Sequence, residues 1–207
     1  MVELKKLSRF LWAILALAAF AGEAAAAVCT SVQSGNWDKG ATWSCNKKPV
    51  AGDTVIIVSA HTINLKGDQS AASLTIDAGG TLIDDGKDLT VGGNVVINGT
   101  YDGSGNSGSL IMTGNGSTLS GKGTFIDIKR IQIDANVTIP TGANLNLTLD
   151  SEIRVGRNSD VGIDLNTLDV NDGARAGKCR AVDSHDQLAF VAAAIVSAVD
   201  LHIAGDG

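Results

Sequence analysis

The sequence contains few aromatic residues, few prolines and few cysteines. Aromatic side chains make up 4% of its 207 residues, so a buried core has to be built mainly from aliphatic side chains. Two prolines against 25 glycines favour many tight turns over rigid linkers. The formal charge is −6, and no basic cluster follows the first nine positions, which argues against nucleic acid as a partner. The length suits one sizeable domain.

The N-terminal residues have the pattern of a secretory signal peptide. A basic segment is followed by an apolar run at residues 10–20 and then by small residues at 25–27. We therefore predict that residues 1–27 are removed during export, leaving Val28 as the first mature residue. A membrane anchor is the alternative, but the apolar run is shorter than the roughly 20 residues of a transmembrane helix. The cations of the basic segment are Lys5, Lys6 and Arg9.

The three cysteines are expected to form one disulfide and leave one thiol. Cys29 and Cys45 lie 16 positions apart, and both would be oxidised outside the cytoplasm. Closing a loop of that length is worth about 3 kcal/mol in the loop-entropy model. Cys179 remains unpaired in the C-terminal part. A metal site is the alternative, but no cysteine has ligand spacing with a histidine at His61, His185 or His202.

Short apolar runs separated by Gly, Asn, Asp and Ser dominate the chain after position 55. They alternate with period two and are rich in Val, Ile and Thr, which predicts strands. Intervals between runs range from 15 positions (Leu74 to Leu89) to 21 positions (Leu89 to Leu110), as in the turns of a solenoid. We predict an all-β fold, a right-handed parallel β-helix over residues 55–170. An antiparallel sandwich is the alternative, because Asn-Gly turns also form hairpins.

The two ends of this repetitive region differ from its middle. Residues 28–54 contain Trp37 and Trp43, which we assign to an N-terminal cap that covers the open end of the solenoid. A sugar-stacking platform made by the same rings is the functional alternative. Residues 171–207 are charged and irregular and then rich in Ala. They are expected to be a terminal helix or the end of a truncated or frame-shifted gene product.

The opening of the repetitive region resembles a known family. The residues that carry the resemblance are Cys29, Ser34-Gly35-Asn36-Trp37, Ala41-Thr42-Trp43-Ser44-Cys45, Pro49, Ala51-Gly52-Asp53-Thr54-Val55 and His61-Thr62-Ile63. This pattern is similar to the N-terminal region of MSHA (mannose-sensitive haemagglutinin) pilus-biogenesis proteins of the Q type. A more distant similarity is to the extracellular G8 domain. The resemblance covers about residues 29–170 and implies an exported protein associated with a type IV pilus or with adhesion, without catalytic residues to carry over.

Acidic residues could form a polysaccharide-active site, because β-helix lyases and hydrolases use clustered carboxylates. Asp84, Asp85 and Lys87 are the best local group, with Asp77 expected one turn of the solenoid away. Adjacent strand residues point to opposite faces, and Gly86 follows, so we predict a solvated turn instead of a catalytic pair.

These observations predict a non-enzymatic, exported surface protein with a structural or adhesive role. It is expected outside the cell or on the outer surface of a bacterium, with pilus or cell-surface components or glycans as partners. No cofactor, metal, catalytic residue, nucleic-acid partner or transmembrane segment after signal cleavage is expected. A carbohydrate-binding module and, less favoured, a polysaccharide-active enzyme remain the alternatives.

Overall fold

The computed structural model describes residues 25–104 and 108–140 in full, together with four later strands as backbone. Nearly all of its regular structure is β-strand, with one 3₁₀ turn at Gly40–Thr42. We number the strands β1 to β19 along the chain. Every pair of these strands is parallel, and the strands form three separate sheets. The predicted parallel β-solenoid is therefore confirmed, and the antiparallel sandwich is excluded.

The first sheet has seven strands in the order in which the chain visits them. They are β1 (Val28–Thr30), β3 (Thr54–Ile57), β6 (Ser73–Ile76), β9 (Val95–Ile97), β12 (Ser117–Gly121), β15 (Val137–Ile139) and β18 (Val161–Ile163).

The second and third sheets have six strands each. The second contains β2 (Gly35–Asn36), β4 (Thr62–Asn64), β7 (Thr81–Ile83), β10 (Thr100–Asp102), β13 (Thr124–Ile126) and β16 (Asn146–Leu147). The third contains β5 (Gln69–Ala71), β8 (Leu89–Val91), β11 (Ser109–Met112), β14 (Arg130–Ile133), β17 (Glu152–Val155) and β19 (Cys179–Ala181).

Each turn of the solenoid contributes one strand to each sheet. Four turns have all three of their strands described with side chains, and these strands lie within residues 54–71, 73–91, 95–112 and 117–133. In the first sheet, Val55 pairs with Leu74, Leu74 with Val95, and Val95 with Leu119, so successive partners are 19, 21 and 24 positions apart. Unequal turns stay in register because the extra residues are placed in the corners.

The core is a column of inward-facing side chains that runs through all the described turns. Strand residues alternate between buried and half-buried positions, as period-two patterning requires. Most members are aliphatic, and Tyr101 packs on Phe125 of the next turn with ring centroids 5.6 Å apart. Burying the apolar surface of this column stabilises the fold by about 25 cal/mol for each Å² removed from water.

Two details differ from the sequence-based expectation. Leu74 and Leu89 are not stacked on each other, because β6 and β8 belong to the same turn and to different sheets. The 15-residue interval therefore measured a distance within one turn, whereas the 21 positions from Leu89 to Leu110 are a true stacking interval. In addition, parallel pairing begins at Val28, inside the segment assigned to the cap, because β1 pairs with β3.

Candidate functional site

The two tryptophans of the N-terminal segment are buried against each other. Trp37 follows β2 and Trp43 follows the 3₁₀ turn, and their rings meet edge to face with centroids 5.3 Å apart. The indole N–H of Trp43 donates to the backbone carbonyl of Trp37 at 2.9 Å. The indole N–H of Trp37 points to the Pro49 carbonyl at 3.4 Å. Their exposed fractions are 1% for Trp43 and 0% for Trp37. Neither ring offers a face on which a sugar could stack.

The predicted disulfide between Cys29 and Cys45 is present, with the Cα atoms 5.0 Å apart. It fastens the residues after Trp43 to β1. The Ser44 N–H donates to the Thr30 carbonyl at 2.8 Å, and the Val32 N–H donates to the Thr42 carbonyl at 2.9 Å. These bonds occupy the outer edge of β1, which would otherwise present unpaired backbone groups.

A serine–histidine contact lies beside this disulfide and was not anticipated from the sequence. The Ser31 hydroxyl lies 2.9 Å from His61 Nδ1 and accepts the Val58 N–H at 3.0 Å. Ser31 is 2% exposed, so a substrate carbonyl could not reach its oxygen. The contact joins the residue that follows β1 to the next turn.

Asp53 is a buried carboxylate with a full set of donors. It receives Lys47 Nζ at 2.8 Å on Oδ2, the Val50 N–H at 3.0 Å on Oδ2, and the Ala27 N–H at 2.8 Å on Oδ1. Burial raises the pKa of Asp53, but the bonds from Lys47, Ala27 and Val50 outweigh it and hold the pKa below its ordinary value. This carboxylate is ionised and anchors the entry of the chain into β3.

Asp84 and Asp85 form a turn in which only Asp85 is exposed to solvent. Asp85 has a φ of 52°, is exposed, and pairs with Lys66 at 3.1 Å. Asp84 has 0% exposure, so the prediction of a solvated turn is wrong for this residue. Asp77 lies in the same turn of the solenoid, at the preceding corner, and not one turn away. The Asp84 side chain is thus buried, whereas that of its neighbour Asp85 faces solvent.

The Asp84 side chain is enclosed between two turns. Its Oδ1 accepts the Gly86 N–H at 2.9 Å, while Oδ2 and the nearby Tyr101 hydroxyl have no hydrogen-bond partner among the residues that the structure describes. A Cβ at Gly108 would overlap this carboxyl group, so the glycine is required for the fit. Burial, together with Asp102, Asp88 and Asp85, raises the pKa of Asp84 to about 6. Burial and the charge of Asp84 likewise raise the pKa of Tyr101.

Asp84 has the raised pKa of a catalytic acid but not the surroundings of one. Its side chain is buried, and the backbone N–H of Lys87 donates to the Asp84 carbonyl at 3.0 Å. Across residues 25–104 and 108–140, no group of three or more His, Cys, Asp or Glu side chains is placed to hold a metal ion. The chemistry available at this corner is protonation of one buried carboxylate.

The outer face of the second sheet carries a straight column of threonines. In the register of β4, β7, β10 and β13, each threonine pairs with the next, and all are half-buried. Parallel strands lie about 4.8 Å apart, so methyl and hydroxyl groups repeat at that spacing. The members of this threonine column are Thr62, Thr81, Thr100 and Thr124. The first three are spaced 19 positions apart in the sequence, a signal that the pattern of apolar runs does not reveal.

No protein-family model matches the chain, and neither curated proteins nor solved structures give a match. The fold defines its class: this is a parallel β-solenoid with a disulfide at its N-terminal end. Among the residues whose structure is described, no helix is both long enough and apolar enough to cross a membrane.

Proposed function

We propose that the protein is a non-enzymatic, exported surface module with a structural and adhesive role, associated with biogenesis or function of an MSHA-type type IV pilus. The observation that carries the adhesive role is the threonine column. It is an uncharged, regularly spaced row of methyl and hydroxyl groups on a stiff scaffold, which suits contact with a repetitive partner such as a pilus fibre or a cell-surface glycan chain.

Export is supported by two independent features. The leader has the order of a secretory signal, with a basic segment, an apolar run and small residues. The disulfide between Cys29 and Cys45 belongs to an oxidising compartment, since cytosolic thiols are normally kept reduced. The resemblance of residues 29–170 to MSHA pilus-biogenesis proteins supplies the link to a pilus.

The buried rings of Trp37 and Trp43 argue against the alternative of a tryptophan-based carbohydrate-binding module. The enclosure of Asp84 argues in the same way against a polysaccharide-active enzyme. Purified protein is therefore expected to release neither reducing ends nor unsaturated sugars from polysaccharides. Reproducible release that disappears in an Asp84→Asn variant would overturn the non-enzymatic assignment.

Gene deletion with complementation tests the proposal. The deletion strain is expected to lose piliation or adhesion to cells and surfaces while growing normally on glycans. A variant with Thr81→Lys and Thr100→Lys places two charges in the centre of the column and should leave adhesion near the level of the deletion strain. Thr75→Lys with Thr90→Lys is the matched control, since these half-buried strand residues lie on the first and third sheets.

All variants must be exported at equal levels and have equal melting temperatures. Adhesion that is normal in the column variant would exclude this face as the contact surface. Normal piliation and adhesion in the deletion strain would overturn the proposed function itself.

A further inference from the structure

The carboxylate of Asp53 binds the backbone of Ala27, the residue directly before β1. Ala27 donates its N–H to Asp53 Oδ1 at 2.8 Å, and its carbonyl accepts the Thr54 N–H at 2.8 Å. Its side chain is partly buried against the core. Ala27 is thus a structural member of the solenoid, although the sequence pattern placed it in the removed leader.

The two residues immediately before Ala27 do not pack against the core. Ala25 and Ala26 are exposed and do not belong to the hydrophobic core cluster. The boundary between leader and folded domain therefore falls at the peptide bond between Ala26 and Ala27. This is one bond earlier than the cleavage point predicted from the sequence.

Two neighbouring peptide bonds at this boundary satisfy the small-x-small requirement of signal cleavage. The bond after Ala24 satisfies it too, through Gly22 and Ala24, but would leave the exposed Ala25 and Ala26 on the mature chain. Cleavage after Ala27 uses Ala25 and Ala27, whereas cleavage after Ala26 uses Ala24 and Ala26. The first cut would remove Ala27 and with it both hydrogen bonds, leaving the Thr54 N–H without its acceptor. The second cut retains both bonds.

We propose that the chain is processed between Ala26 and Ala27 and that the new α-ammonium group of Ala27 forms an ion pair with Asp53. This inference rests on the proposed export. In the hydrolysis, water adds to the Ala26 carbonyl carbon and the C–N bond to Ala27 breaks. The leader keeps a carboxylate, and the released amine takes up a proton. Signal cleavage acts on an extended chain before these bonds form, so the structure bears on the product: a chain that begins at Ala27 keeps both contacts, and one that begins at Val28 loses them.

The site suits an ammonium group better than the amide that it replaces. Asp53 is 1% exposed in the uncleaved chain, and a hydrogen bond that joins two charged groups is stronger than one that joins a neutral donor to a carboxylate. The carboxylate already binds Lys47, whose side chain is about one-third exposed. After cleavage, two cations would flank one carboxylate, and the amino terminus would be pinned at the outer end of the solenoid.

N-terminal sequencing tests the processing site directly. The full chain is expressed with its own leader, collected from the periplasm or medium, and sequenced; the expected first residue is Ala27. An exported chain that begins at Val28 or elsewhere overturns this inference and leaves export intact. A chain that keeps its leader and stays in the cytoplasm overturns the proposed export together with this inference.

A stability cycle tests the ion pair without relying on export. Mature chains that begin at Ala27 or at Val28 are prepared by removing a cleavable tag, each with and without Asp53→Asn. The chain starting at Val28 should melt about 2–4 °C lower or more, and Asp53→Asn should shrink that difference. Asp38→Asn is the control, since Asp38 makes only a surface pair with Lys39 at 3.2 Å. Equal melting temperatures for the two starting residues would overturn the ion pair, even if Asp53→Asn fails to fold.

Discussion

At the scale of single residues, Asp84 makes stability depend on pH in an unusual direction. Most paired carboxylates have lowered pKa values and stabilise a fold above about pH 4. Asp84 has its pKa raised to about 6 from 3.8, so the folded state holds this proton more tightly than the unfolded chain. Its favourable contribution is complete at low pH and is lost as the pH rises from about 4 to about 6.

The variant Asp84→Asn should remove this dependence. The amide keeps the oxygen that accepts the Gly86 N–H but cannot ionise. Relative to wild type, the variant should therefore gain roughly 2 kcal/mol more stability at pH 8 than at pH 4, as a shift of this size implies. Urea unfolding at both pH values measures the difference. Asp85→Asn, which alters an exposed partner of Lys66, should show no comparable change.

The individual side chains were predictable from sequence to different degrees. The disulfide followed from the number of cysteines and the expected export, because only one close pair was present. The burial of Asp84 was not predictable, because a turn sequence does not show which carboxylate points under the next turn. The glycine that makes room for it, Gly108, lies 24 positions away.

At the scale of elements, glycines in the corners decide whether one turn can lie against the next. Gly121 has a φ of 120°, and a Cβ there would overlap the Ile97 carbonyl oxygen. Gly116 has a φ of 75° but open space around it. Substitutions at these two positions therefore distinguish the free-energy cost of a positive φ from the free-energy cost of a steric collision.

Alanine substitutions at Gly121, Gly116 and Gly52 should destabilise the fold by decreasing amounts. Gly121→Ala is expected to destabilise by about 3 kcal/mol or more, since strain and collision add. Gly116→Ala should cost only the positive-φ penalty, about 1–2 kcal/mol. Gly52→Ala, which meets nothing within 4 Å, should be nearly neutral. Denaturant unfolding of the three variants provides the ranking, and equal costs at Gly121 and Gly116 would contradict the close approach.

The strands themselves were predictable, but their assignment to sheets was not. Period-two alternation located the runs at Leu74, Leu89 and Leu110 correctly. Alternation carries no information about which strand stacks on which, because every run has the same inward pattern. The stacking order depends on how many residues each corner takes up, and corner lengths vary between turns.

At the scale of the whole molecule, each turn of the solenoid contacts its neighbouring turns. The stability of one turn therefore depends on the turns on either side of it. The N-terminal end of the stack contains Trp37, Trp43 and the disulfide. We therefore expect this end to unfold separately from the middle turns. The general class of fold could be predicted from the spacing of the strands. The sequence assigned the tryptophans to an N-terminal cap but left a sugar-stacking platform open as the alternative, since paired rings serve both burial and contact.

Loss of the disulfide should act mainly at this end. Replacing both Cys29 and Cys45 by Ala is expected to destabilise the N-terminal turns by about 3 kcal/mol. Hydrogen exchange should accelerate most in β1 and β3 and least in β9 and β12, because the effect weakens with each intervening turn. Cys179→Ala is the control. Uniform acceleration through all strands would mean that the stack unfolds as one unit.

The register of the threonine column has a consequence for how this molecule can change over evolutionary time. A gene duplication that copies one whole turn, such as residues 73–94, would insert a strand into each sheet and leave every neighbouring contact of the same kind. The rod would grow by about 4.8 Å per inserted turn, and the column would gain one threonine without any other adjustment. Length is thus a property that this architecture can alter in whole steps, and a partner that binds along the rod would gain or lose sites in the same increments.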